Sequence, residues 1–218
     1  MQIFHPSANT LSRLTVFGSV ALMLGPVVLT YMVLRSPYQT RVGVIPPQPV
    51  PFSHEHHVRG LGLDCRYCHT SVETSSFAGL PPTHTCMTCH SQIWSTSPML
   101  QPVRDSLAKN EPLVWNRVHN IPDFVYFNHS IHVQKGVGCA SCHGRIDQMP
   151  MTWKAEPMTM EWCLNCHRNP ELHLRERRDV LNMEYTVTER QQLELGRELV
   201  ERNHIPVDRL TNCSVCHR

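Results

Sequence analysis

The chain has 218 residues, 41% of them apolar, and its 20 Lys and Arg against 18 Asp and Glu leave a formal charge of +2. That length excludes several large domains, and the absence of a basic stretch with interleaved aromatics argues against a nucleic-acid partner. Seventeen prolines and ten glycines favour irregular backbone, with short helices, long loops and very little sheet.

Residues 14–34 (LTVFGSVALMLGPVVLTYMVL) form the first element, a run without charge closed by Arg13 and Arg35. At about 1.5 Å per residue a helix of this length reaches roughly 30 Å, the hydrocarbon thickness of a bilayer. Gly25 and Pro26 near its middle can kink it. A signal peptide carries a shorter apolar region of about 7–15 residues, and Arg35-Ser36-Pro37-Tyr38 lacks the small residues of a cleavage site. The run therefore reads as an uncleaved transmembrane anchor, preceded by a tail at residues 1–13. Arg13 on one side stands against Arg35 and Arg41 on the other, so basic residues alone leave the orientation open. Pro46, Pro47, Pro49 and Pro51 make residues 35–51 a stiff, extended linker.

Beyond the linker one pattern occurs five times. Cys65, Cys68 and His69 form the first copy, and Cys86, Cys89 and His90 the second. Cys139, Cys142 and His143 are the third, Cys163, Cys166 and His167 the fourth, and Cys213, Cys216 and His217 the fifth. Each is C-x-x-C-H, the attachment signature of c-type haem. Two thiols bond to the haem vinyl groups, and the adjacent histidine becomes the proximal iron ligand. The five motifs consume all 10 cysteines, so none remains for a disulfide or a nucleophile. Structural zinc also uses C-x-x-C pairs, but it gives no reason for a histidine after every second cysteine. Pairing within C-x-x-C closes only tight loops and cannot staple distant segments.

Five covalently attached haems in the haem-bearing part, roughly residues 42–218, leave about 35 residues for each, too few to wrap every macrocycle in its own bundle. The haems must supply much of the apolar core and lie near one another. Their propionates add roughly ten negative charges, so the formal charge understates the acidity of the loaded protein. Covalent haem attachment in bacteria takes place outside the cytoplasmic membrane, which puts the C-terminal domain in the periplasm and residues 1–13 in the cytoplasm.

The haem region contains a duplication. Phe52, His54 and His57 precede motif one as F-x-H-x-x-H, and Phe127, His129 and His132 precede motif three in the same pattern, 75 residues later. Two di-haem units follow, at about residues 52–90 and 127–167, with a terminal haem at 204–218. Neither unit can cover both of its faces alone, so the two are expected to pack on each other. His54, His57, His129 and His132 are the candidates for distal iron ligands, because residues three apart in a helical turn project to one side. His56 points elsewhere. For a fifth distal ligand the choice is His119, with Met160 as the alternative, methionine being the other common axial type. The remaining methionines near motif four, Met149, Met151 and Met158, read as flexible packing against haem. His84 and His204 are weaker options, and His5 and His173 read as ordinary polar residues.

In the tail, Thr188 and Gln191 form a capping box. An amphipathic helix carrying Leu193, Leu195, Leu199 and Val200 runs to about Asn203 and delivers motif five. From its position in the chain, the haem there is expected near the surface, where electrons enter or leave.

The F-x-H-x-x-H and C-x-x-C-H units resemble the class III multihaem cytochromes, the cytochrome c3 and c7 group. The anchor, the five motifs and the stretches 115–133 (WNRVHNIPDFVYFNHSIHV) and 161–168 (EWCLNCHR) are similar to the pentahaem cytochrome subunits of alternative complex III. The resemblance implies a class III-like multihaem fold of short α-helices and irregular backbone around five haem c groups. It also implies a complex in the bacterial inner membrane that oxidises quinol and reduces a soluble cytochrome c or a similar high-potential acceptor. The implied partners are an iron–sulfur subunit of molybdoenzyme-like fold, polytopic quinol-binding membrane subunits and a monohaem cytochrome c. Two other readings stand beside this one. A self-sufficient quinol dehydrogenase with one anchor typically carries C-x-x-C-H-x-M at its first haem, where this chain has Thr70 and Ser71 after His69. A multihaem reductase acting on a small nitrogen or sulfur compound needs an open or lysine-ligated haem, and no C-x-x-C-K variant is present.

Overall fold

The computed structural model describes residues 4–217. The chain divides into two compact units, Met1–Arg41 and Val42–Arg218.

The first unit is one long helix, α1 (Ser7–Arg35), followed by the short α2 (Pro37–Thr40). No side chain of α1 is buried, and the helix is long and apolar enough to cross a membrane. It starts well ahead of the apolar run at 14–34, because nothing between Ser7 and Arg13 breaks a helix and hydropathy marks only the apolar part. Pro26 lies inside it, which removes one backbone hydrogen bond.

The second unit consists of short helices joined by loops. In chain order these are α3 (Cys65–Cys68), α4 (Thr83–His90), α5 (Gln101–Lys109), α6 (His129–Gln134), α7 (Cys139–His143), α8 (Met160–Arg168), α9 (Glu189–Arg202) and α10 (Cys213–Cys216). A π-helical turn spans Glu55–Gly60. Among the described residues no strand forms. Two isolated bridges, Val42 with Lys154 and Val137 with Leu174, tie loops together.

The proline-rich stretch is not a free spacer. Val50 is buried with Leu100 and Val103, and Cys86, Met87 and Trp115 pack around them. Gln48 donates to the Asn116 carbonyl at 2.8 Å, and the Asn116 side chain donates to the Pro47 carbonyl at 2.6 Å. The prolines supply an extended backbone whose carbonyls stay free to accept from the loop beside them. Residues 42–51 accordingly belong to the second unit.

α9 forms where the capping box predicts. Thr188 accepts from the Gln191 backbone at 3.3 Å, and Gln191 accepts from the Thr188 backbone at 3.1 Å. Leu199 is fully buried, and Gln192 reaches across to the carbonyls of Glu171 and Leu174 at 3.0 and 2.6 Å. Gly196 lets the helix lie directly on Glu171, since a Cβ there would collide with the Glu171 backbone.

Few apolar side chains are buried outright: Val50, Val72, Leu100, Val103, Val133, Met149, Leu174, Val180 and Leu199. A domain this long ordinarily buries far more. The protein core is thin along the line where the cysteine motifs lie.

Candidate functional site

Each motif begins on a helical turn. Cysteines three apart on such a turn lie on one face, and in α3 and α10 the histidine closes the turn. The His69 N–H donates to the Cys65 carbonyl, and the His217 N–H to the Cys213 carbonyl, both at 2.8 Å. Asp64 starts α3 by accepting from the Arg66 N–H at 2.8 Å, and Thr159 starts α8 by accepting from Trp162 at 3.3 Å. All ten cysteines carry free thiols. Burial pushes the Cys139 and Cys166 thiols up to about 11 and Cys142 to about 12, so they are protonated and unsuited to nucleophilic work.

After burial, neighbouring thiols contribute to the same upward shifts, and they report which motifs adjoin. Cys68 lies near Cys86, Cys139 near Cys65, Cys142 near Cys166 and Cys163, and Cys163 near Cys216. The motifs thus adjoin in the order two, one, three, four, five. Direct contacts support three of these junctions. Tyr67 and Thr88 share a 2.9 Å hydrogen bond between motifs one and two. Val72, beside motif one, packs with Val133 and Cys139. His167 of motif four donates to the Leu210 carbonyl just before motif five.

The histidines show a common arrangement. His69, His90, His167 and His217 each place Nδ1 against a backbone carbonyl: Gly79 at 2.7 Å, Ile93 at 3.0 Å, Leu210 at 3.0 Å and Phe124 at 3.1 Å. Three of the four distal candidates do the same, and His54 meets a hydroxyl instead. His57 donates to the Ser53 carbonyl at 2.8 Å and His132 to the Asn128 carbonyl at 2.7 Å. His54 pairs with the Thr152 hydroxyl at 2.9 Å and His129 with the Ser76 carbonyl at 3.0 Å. An Nδ1–H held this way fixes the tautomer and leaves Nε2 with its lone pair free, the outer-shell pattern of a metal-ligating histidine.

The two F-x-H-x-x-H stretches share a local geometry. Phe52 stacks on His57 at 4.5 Å and meets His54 edge-on at 4.9 Å. Phe127 lies at 4.6 Å from His132 and 4.7 Å from His129 in the matching arrangement. The repeated phenylalanine is therefore the wedge that sets both ring orientations. The two repeats also brace each other. His54 leans on Thr152, and Glu55 donates to the Met149 carbonyl at 3.1 Å, both beyond motif three. His129 and Ser130 donate from their backbones to Ser76 and Ser75, beyond motif one.

Ring separations bring particular histidines together. His57 and His90 stand 6.2 Å apart, as do His132 and His167, the equivalent pair in the second repeat. His129 and His143 stand 6.4 Å apart. A histidine nitrogen lies about 2 Å from its metal and the ring centroid about 1 Å further back, so two axial rings face each other across an iron at roughly 6 Å. Among the described residues no group of three His, Cys, Asp or Glu converges on one ion. The spacing of the paired rings leaves room for a metal between them, and with two free thiols in every motif the donor set fits haem c.

Burial, followed by neighbouring histidines, lowers His54 to about 4 and His143 to about 3. Burial also lowers His57, His129 and His132. These rings are neutral at physiological pH, as ligation requires. His119 is lowered to about 4, by burial and then by the Lys154 ammonium. It lies 4.3 Å from His143. Met160 stands exposed at the start of α8, 66% accessible. His56, expected to point elsewhere, in fact stacks on Trp94 at 5.9 Å and meets His57 edge-on at 5.4 Å, beside the His57 and His90 pair. The carbonyls and hydroxyls that orient the ligands were not predictable, because a backbone acceptor carries no side-chain signature. The phenylalanine wedge was visible in the repeat, though its role was not.

A protein of this construction, with unpaired thiols on helical turns and histidines facing each other in pairs, is a multihaem cytochrome c. Residues 125–218 match the family model of cytochrome c7 and related cytochrome c. The chain is 32% identical over 148 residues to the multiheme cytochrome c subunit of menaquinone reductase from Nitratidesulfovibrio vulgaris Hildenborough, covering 58% of this chain and 70% of that one. The chain belongs to the cytochrome c7-like family of multihaem electron-transfer proteins and carries covalently bound haem c.

Proposed function

We propose that this chain is the membrane-anchored pentahaem relay of a quinone-linked oxidoreductase, of the alternative complex III kind. The paired histidine rings of the two repeats carry the reading. In this reading Cys65, Cys68, Cys86, Cys89, Cys139, Cys142, Cys163, Cys166, Cys213 and Cys216 attach five haems. His69, His90, His143, His167 and His217 are the proximal ligands. His57 faces His90, His132 faces His167, and His129 faces His143. By the equivalence of the repeats, His54 serves the haem of motif one. Haem supplies one-electron redox chemistry when bound. The chain's residues keep the buried rings of His54, His57, His129, His132 and His143 neutral, and hydrogen bonds set ring rotation. Four of the five motif histidines would thus have a histidine partner, and a haem held by protein on both sides would pass electrons and leave no position for substrate.

In this reading α1 anchors the chain in the inner membrane and the cysteine-bearing unit lies in the periplasm. The partners are an iron–sulfur subunit of molybdoenzyme-like fold, polytopic quinol-binding subunits and a monohaem cytochrome c, with a soluble cytochrome c or similar carrier as acceptor. The similarity to a menaquinone reductase subunit supports a second direction, with electrons delivered to menaquinone. Purification of the native protein in mild detergent, with mass spectrometry of bound subunits, tests the proposal. Co-purification of iron–sulfur and polytopic subunits with quinol:cytochrome c activity supports the complex III direction, and reduction of menaquinone analogues by the same assembly supports the other. A chain that comes away alone and oxidises quinol by itself overturns both.

A further inference from the structure

Four of the five motif histidines donate Nδ1–H to a backbone carbonyl. His143 is the exception, for its Nδ1 is buried and has no partner. The ring that meets it is His119, 4.3 Å away and tilted by 68°. Among the described residues, His119 holds the other buried ring nitrogen left without a partner, its Nε2. The 4.3 Å spacing is too short to admit an iron, which needs roughly 6 Å between axial rings. His129 already faces His143 at 6.4 Å, with its own Nδ1 held by Ser76.

We infer that His119 is a positioning residue for motif three, its Nε2 accepting a hydrogen bond from the Nδ1–H of His143 in place of the carbonyl that serves the other four. This rests on the reading of His143 as a proximal ligand. Pairing the two nitrogens satisfies both vacancies at once, and buried polar atoms seldom stay unpaired. The rings meet edge to face, an arrangement compatible with a bond between them. An acceptor at Nδ1 fixes the tautomer that presents Nε2 to the iron and raises the basicity of the ligand, which favours the oxidised iron. The irregular stretch before α6 brings His119 to this place.

The test uses the loaded, full-length protein and the variants His119→Ala and His119→Gln, glutamine keeping an acceptor. Haem count by mass reports on the underlying reading: a wild-type chain without haem on Cys139 and Cys142 removes that reading and this inference with it. With haem present there, carbon monoxide difference spectra and redox titration decide the role of His119. The expected result is no gain of carbon monoxide-binding haem in His119→Ala, one midpoint potential moved upward, and recovery in His119→Gln. A newly carbon monoxide-reactive haem in His119→Ala makes His119 an axial ligand and overturns the inference. A titration curve unchanged from wild type overturns it as well. If His119→Ala fails to accumulate, an experimental structure of the wild-type holoprotein reads the same point. His119 Nε2 within hydrogen-bond reach of His143 Nδ1 supports the inference, and His119 Nε2 on an iron refutes it.

Discussion

The rings of His132 and His167 face each other 6.2 Å apart with their planes 27° from parallel, and their counterparts His57 and His90 keep the same separation at 65°. The two pairs share one distance and differ in rotation. The anchors explain why. His132 and His57 are tied to carbonyls four residues back, while His167 and His90 are tied to unrelated loops at Leu210 and Ile93.

That difference is measurable. Axial imidazole planes near parallel give a rhombic low-spin EPR signal, and planes near perpendicular give a highly anisotropic one. His132→Ala is expected to remove a rhombic component and His57→Ala an anisotropic one. Each variant should gain one carbon monoxide-binding haem per chain, with the number of attached haems unchanged. Loss of the same component in both variants would contradict the pairing.

The wedge makes a second prediction. Phe52 and Phe127 each touch both distal histidines of their repeat. Phe127→Ala should loosen His129 and His132 together and cost about 3 kcal/mol or more, as large aromatic truncations do. The readout is chemical unfolding of the holoprotein, combined with broadened low-spin EPR lines from two haems. A variant that alters only one haem would show that the phenylalanine does not orient both rings.

α9 offers a test of packing. A methyl group on Gly196 would collide with the Glu171 backbone, so Gly196→Ala should destabilise the second unit by roughly 1–3 kcal/mol. The helix leads to motif five, and the same variant should disturb the haem at His217 before the others. Unchanged unfolding would mean that the close approach of α9 to Glu171 is not retained in solution.

Acid stability depends in part on Asp147. Its carboxylate accepts from Arg145 at 2.9 and 2.7 Å, which lowers its pKa below the usual carboxylate range. A group whose folded pKa is depressed contributes its full stabilisation above the unfolded pKa and loses it as pH falls through the folded pKa. Asp147→Asn should therefore cost about 1 kcal/mol at neutral pH, the pair being partly exposed. The difference from wild type should vanish in acid below the carboxylate range. Paired unfolding curves at neutral and acidic pH check the sign.

Much of this was legible beforehand, for physical reasons. Covalent attachment demands a fixed spacing of cysteine, cysteine and histidine, so the motifs stand out at any fold. Duplication copies side chains, so Phe52, His54 and His57 announce Phe127, His129 and His132. The Thr188 box and the leucines of α9 obey local rules that the structure keeps. What stayed hidden depends on the loops. Gly79, Ile93, Leu210 and Phe124 orient histidines through carbonyls that every residue possesses. Pro47 and Val50 look like a spacer until Asn116 and Leu100 are seen beside them. His119 reads as a ligand in sequence because a histidine near a haem motif does, and only its distance from His143 points to another role.

The account stands on ten cysteines being spent on five haems. The most direct test is intact-mass spectrometry of the protein purified from its own membranes, with peptide mapping of every cysteine. The account predicts a single species carrying five haems, with Cys65 through Cys216 all thioether-linked and no reactive thiol. A species with fewer haems, and free thiols or disulfides in any of the five motifs, would contradict it.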